Sequence, residues 1–105
     1  MIYTTEEYYN EIAALLSPLE KLSWGRAMGD YVIYYNGKEL GGLYKNRFLI
    51  KITPSSLRLL APTAYCIPYS GRKEMLLVET RDPEQIKKLF EAVEKEIPAR
   101  KEYRF

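Results

Sequence analysis

With 105 residues and a formal net charge of +2, the chain fits one domain and has too little positive charge to imply a nucleic-acid partner from charge alone. Histidine is absent, which removes the commonest general base and the commonest metal ligand together. Hydrophobic residues make up 47%, enough to build a core, and a single cysteine excludes an internal disulfide and fits a reducing cytoplasm.

The opening residues up to Glu7 carry acid where a signal peptide carries base, and no apolar stretch follows. No run approaches the roughly 18 apolar residues of a membrane span, so the expectation is a cytoplasmic protein without a membrane partner. Thr4-Thr5-Glu6-Glu7 reads as a capping box with Thr4 as the cap. Tyr8, Ile12, Leu15, Leu16 and Leu19 then recur at helical spacing, and Pro18 ends or kinks the helix. Ser23 to Met28 reads as a first strand, Gly29-Asp30 as a turn and Tyr31 to Tyr35 as a second strand. Asn36-Gly37 is a strong hairpin signal because both residues tolerate positive φ. Lys38 to Lys45 returns as the third strand, a turn follows at Lys45-Asn46 or Asn46-Arg47, and Arg47 to Ile52 is the fourth.

Thr53-Pro54 reads as a helix cap followed by proline at the first helical position, with a short helix to Leu60 stopped by Pro62. Residues 61–73 read as an extended loop around Tyr65-Cys66-Ile67. Residues 74–80 read as a further strand, whose apolar run Met75-Leu76-Leu77-Val78 suits a central position. Asp82-Pro83 opens the last helix, with Ile86, Leu89, Phe90, Val93 and Ile97 as its apolar stripe. Residues 98–105 read as a frayed tail. Helices at the ends and strands in the middle predict an α+β two-layer sandwich. Its antiparallel sheet comprises a meander over 24–52 plus the strand 74–80, with the N-terminal, middle and C-terminal helices on one face.

A two-residue Asn36-Gly37 turn sets Tyr35 against Lys38, Ile33 against Leu40 and Tyr31 against Gly42. A Lys45-Asn46 turn sets Leu43 against Phe48 and Gly42 against Leu49. One face then carries Val32, Leu43, Phe48, Ile50 and Ile52, and the expectation is that the helices cover it. The other carries Tyr31, Ile33, Tyr35, Leu40, Tyr44 and Leu49, left for water, another chain or the Tyr65 loop. A bulge at Gly41-Gly42 would shift this register.

Trp24, Met28-Gly29-Asp30-Tyr31, Tyr34-Tyr35-Asn36-Gly37-Lys38, Gly41-Gly42-Leu43-Tyr44, Asn46-Arg47-Phe48-Leu49-Ile50-Lys51, Pro68-Tyr69 and Met75-Leu76-Leu77-Val78 form an ordered series. Over roughly residues 5–98 that series resembles the N-terminal domain of the TfoX (Sxy) competence-regulator family. The resemblance implies an antiparallel sheet with helices on one side and a role linked to transcription control. Two-domain members are regarded as co-activators acting with the cyclic-AMP receptor protein. This chain reads as a short one-domain member, residues 1–105, without their helical C-terminal domain. The resemblance supplies no catalytic residues and no cofactor.

The residues themselves weigh against catalysis. The carboxylate pairs Glu6/Glu7 and Glu94/Glu96 fall on helix surfaces and read as solvated faces. Cys66 has no histidine to activate it and reads as a structural thiol. Gly41-Gly42 lacks the lysine and helix of a phosphate loop. Arg26, Arg47, Arg58, Arg72, Lys73, Lys87 and Lys88 could form a basic patch with interleaved tyrosines, although Lys87 and Lys88 lie among Glu84, Glu91 and Glu94. The expected function is a non-enzymatic regulatory or protein-interaction module. Its expected contact surface is Tyr31, Tyr35, Tyr44 and Leu49, and its partner a transcription factor or a second copy. The alternatives are a nucleic-acid-binding accessory protein and, less favoured, a small-ligand domain using the Tyr65–Lys73 loop; no cofactor or metal is expected.

Overall fold

The first helix begins one residue later than its sequence suggests. In the computed structural model, which describes residues 3–98, α1 runs Glu6–Leu16 and its cap is Thr5, whose hydroxyl accepts the Tyr8 amide. Thr4, the expected cap, is instead buried, and its hydroxyl donates to Asp30. The remaining elements are β1 (Leu22–Ala27), β2 (Asp30–Tyr35), β3 (Lys38–Leu43), β4 (Phe48–Ile50), α2 (Pro54–Leu60), β5 (Tyr65–Cys66), β6 (Met75–Leu77) and α3 (Pro83–Glu96). The frayed tail expected at the C-terminus falls, but for Pro98, outside the described residues.

All six strands form one open antiparallel sheet in the order β1-β2-β3-β4-β6-β5, an α+β fold as expected. Three consecutive hairpins build its first four strands. Each turns on two residues of positive φ: Met28-Gly29, Asn36-Gly37 and Lys45-Asn46. The first turn therefore sits one residue earlier than the expected Gly29-Asp30. The strand expected over residues 74–80 is interior, between β4 and β5. Residues 61–73 are not wholly a loop, since Tyr65 and Cys66 pair with Leu76 and Met75. Thr53 caps α2 with a reciprocal Thr53–Ser56 capping box, and Pro54 occupies its first turn.

The hairpin register follows expectation at Tyr35–Lys38, Leu43–Phe48 and Gly42–Leu49, but not along the rest of the β2–β3 pair. A bulge at Leu40 sets Ile33 against Gly41 and Tyr31 against Leu43. The extra residue reverses the side of the sheet on which β2 side chains fall relative to those of β3 and β4. Tyr31, Ile33, Tyr35 and Leu40 thereby join Leu43, Phe48 and Ile50 under the helices, in one core with Ile12, Leu16, Leu76, Val78, Ile86, Leu89, Phe90 and Val93. The opposite face holds a smaller cluster of Tyr44, Leu49 and Met75, flanked by Cys66, Tyr69 and Leu77.

Gly41 makes this register feasible. A Cβ there would collide with the Leu49 carbonyl oxygen and lie 2.8 Å from the Ile50 Cα. Both obstacles are backbone, so the sheet itself would have to move. Gly41→Ala is expected to cost about 3 kcal/mol, the upper part of the range for overpacking, read as a lowered denaturant midpoint.

Candidate functional site

Helices cover one side of the sheet, and the segment between β5 and β6 straps part of the other. Two residues pin that strap. Arg47 donates to the Tyr44 carbonyl at 3.1 Å and to the Ile67 carbonyl at 3.1 Å, joining the β3–β4 turn to the strap. Tyr69 crosses the outer face, packs edge-on against Tyr44 with ring centroids 5.4 Å apart, and donates its hydroxyl to Asp30 Oδ2 at 2.8 Å. Gly71 then turns the chain at φ 82°.

Asp30 is the junction of the outer face. It is 1% exposed and accepts four hydrogen bonds: from the Thr4 amide (2.9 Å), the Thr4 hydroxyl (2.6 Å), the Lys45 amide (3.1 Å) and Tyr69. Burial alone would raise its pKa. The Thr4, Lys45 and Tyr69 donors outweigh that and hold the carboxyl below its ordinary value. Burial, and after it the same bond, push the Tyr69 phenol well up. Asp30 thus stays anionic and Tyr69 stays a donor at neutral pH. The sequence shows Asp30 only as a turn residue, because its partners lie 15 to 39 positions away.

Beside the strap lies a groove of about 740 Å³. Pro68, Gly71, Arg72, Lys73 and Glu74 form one side, Glu39, Lys51 and Ile52 contribute from the sheet side, and Tyr44 and Met75 also line it. At the other end of the sheet, β1 has no strand on its outer edge. On the helix side of β1 the Tyr9 ring stacks on Tyr31 at 4.1 Å. Trp24 meets Tyr9 edge-on at 5.0 Å, and the Arg26 guanidinium sits 4.6 Å from the Tyr31 centroid. These residues, with Glu6, Asn10 and Gly25, line a shallow depression of about 450 Å³.

The four residues expected to form a contact surface do not form one. Tyr31 and Tyr35 are 7% and 4% exposed under the helices, while Tyr44 and Leu49, 4% and 0% exposed, lie on the opposite face. The Leu40 bulge is the cause. The basic residues are dispersed as well. Arg26 lies on the β1 edge, Arg47 pins the strap, Arg58 is in the last turn of α2, Arg72 and Lys73 line the groove, and Lys87 and Lys88 belong to α3.

Two of the carboxylates read as solvated make specific contacts. Glu94 pairs with Lys38 at 2.7 Å and accepts from Asn36 at 3.0 Å. Glu96 accepts the Ser55 amide at 2.9 Å and its hydroxyl at 2.8 Å, at the N-terminal turn of α2. Hydrogen bonds from Lys38 and Asn36, and from Ser55, hold both acids below their ordinary range. Cys66 is half-buried against the outer cluster. Among the described residues no group of three or more acidic or cysteine side chains is placed to hold a metal ion. No described helix is long and apolar enough to cross a membrane.

Fold and sites together define an α+β domain with a half-strapped sheet and an open sheet edge at β1. Comparison with protein-family models, curated proteins and solved structures finds no match.

Proposed function

We propose that this domain is a non-enzymatic regulatory interaction module that works by strand addition at β1, with a second copy of the chain as its first partner. The observation that carries the reading is the open β1 edge with Trp24 and Arg26 flanking Gly25. An unpaired strand edge presents free backbone donors and acceptors to any extended chain. Trp24 and Arg26 are two residues apart and pair with Ile33 and Tyr31, so both project to the helix side. A two-fold axis through Gly25, normal to the sheet, sets Trp24 of each copy opposite Arg26 of the other. The contact is isologous and contains two indole–guanidinium pairs. Two glycines face each other on the axis, so nothing obstructs the approach. The resemblance to the N-terminal domain of the TfoX family supports a role in transcription control for such a module.

Sedimentation velocity between roughly 10 μM and 1 mM tests this reading. The expected result is a concentration-dependent dimer that Arg26→Glu weakens at least about tenfold, since it replaces each cation over an indole by an anion. Arg26 is exposed, so the variant keeps its fold, which circular dichroism checks. A wild-type chain that stays monomeric throughout, or an unaffected Arg26→Glu dimer, ends the proposal.

A further inference from the structure

The groove between the strap and the sheet, on the outer face, is independent of the β1 edge and contains a polar group with no evident structural use. Tyr44 is more than nine-tenths buried, and its ring lies across Gly42, where a Cβ would come within 2.8 Å of ring carbons. Yet its hydroxyl forms no hydrogen bond with any described residue, in contrast to Tyr69 beside it. The oxygen is not sealed in, since among the described residues no fully buried side-chain polar atom lacks a partner, and Tyr44 lines the groove. The hydroxyl is therefore reachable by water and free to donate to an acceptor that enters the groove.

The charges around it are also unused. Lys51, Arg72 and Lys73 line the same groove, and none forms an ion pair among the described residues, where the only pairs are Lys38–Glu94 and Arg81–Glu11. Glu39 and Glu74 border the cleft as well, so it is net cationic by one charge. Burial foremost, and the Glu39 carboxylate next, push the Tyr44 phenol up to about 12, so the hydroxyl keeps its proton at neutral pH. The cavity volume falls in the range of small-molecule sites, roughly 300–1,000 Å³.

We propose that this groove binds a small organic anion, whose phosphate or carboxylate group is held by Arg72 and Lys73 and accepts a hydrogen bond from the Tyr44 hydroxyl. Arg72 provides a planar fork for two anionic oxygens, and Lys73 and Lys51 provide point charges. Ile52, Pro68 and Met75 give the ligand's body an apolar resting place. A duplex or single-stranded nucleic acid is a weaker fit. Glu39 and Glu74 interrupt the cationic wall, and the other basic residues lie on different elements.

The test is a titration of the uniformly nitrogen-15-labelled chain with inorganic phosphate, citrate and adenosine monophosphate at low ionic strength, with a short single-stranded oligonucleotide in parallel. The expected result is saturable amide shifts at Tyr44, Arg72 and Lys73 with at least one of the three small anions. Affinity should drop roughly tenfold or more in Arg72→Ala/Lys73→Ala and a few-fold in Tyr44→Phe. Tyr44→Phe removes only an unbonded hydroxyl and is expected to leave the thermal midpoint unchanged, which separates a loss of binding from a loss of folding. Saturable shifts with phosphate and not citrate assign the site to phosphates, and the reverse assigns it to carboxylates. Non-saturating shifts, shifts unaltered in the double variant, or binding by the oligonucleotide alone overturn the proposal.

Discussion

Asp30→Ala is expected to cost roughly 3–5 kcal/mol, because it removes the acceptor of the buried Thr4 amide and of the partly buried Lys45 amide together with a hydrogen-bonded buried charge. The amides of Thr4 and Lys45 belong to the N-terminal segment and the β3–β4 turn, and neither can rotate away. The two hydroxyls are more adaptable. Thr4 already reaches the Leu43 carbonyl at 3.0 Å, and Tyr69 stands 3.5 Å from the Ala27 carbonyl. Tyr69→Phe, which removes one neutral donor, is therefore expected to cost only about 1–2 kcal/mol. For a domain of this size the Asp30→Ala loss corresponds to a fall in Tm of roughly 15–25 °C, read by calorimetry.

The pH dependence has a definite sign. Asp30 titrates below its ordinary value of 3.8, so the folded state binds its proton less readily than the unfolded state does. The stability it contributes is fully present above 3.8 and is lost as pH falls through the depressed folded value. Asp30→Asn removes that contribution, and its stability is expected to fall less steeply on acidification below pH 4 or so. An acid limb identical to that of the parent chain would show that the four bonds do not favour the charged form.

The Asp30 junction also marks where the sequence stopped being legible. The hairpins were readable because Asn36-Gly37 and Lys45-Asn46 act within a few residues, through positive φ alone. Both proline-led helices were readable for the same reason, since Thr53-Pro54 and Asp82-Pro83 specify their starts locally. Which face the helices cover was not readable, because it hangs on one inserted residue. Leu40 bulges where Gly41 lets the Leu49–Ile50 backbone draw close, and that single step carries Tyr31 and Tyr35 from a supposed contact surface into the core. Gly41-Gly42 marks a bulge and the register shift it brings, but not that Leu40 is the residue left unpaired. The groove was half legible: the loop that borders it stood out by its prolines and glycine, whereas the Tyr44 hydroxyl and its cationic neighbours converge only once Tyr69 has tied the loop down.

Phe90→Ala is the second variant expected to have a large effect, roughly 3–5 kcal/mol, because it opens a cavity at the helix–sheet boundary that rigid neighbours cannot fill. Phe90 is wholly buried, and its ring meets Tyr35 edge-on at 5.7 Å and Phe48 at 6.2 Å. Those two rings come from β2 and β4, on opposite sides of the bulged β3, so Phe90 bridges the strands on either side of the bulge. Their backbones are held in the sheet and cannot collapse inward by the width of a ring. Phe90→Leu retains most of the volume and is expected to lose only about 1.5 kcal/mol. Lys87→Ala, on the exposed side of the same helix, should stay within about 0.5 kcal/mol of the parent. Urea denaturation of the three variants checks the ordering. A Phe90→Ala loss no larger than that of Phe90→Leu would mean that α3 shifts to close the gap, and that the helix layer is less firmly seated on the bulged sheet than its aromatic contacts imply.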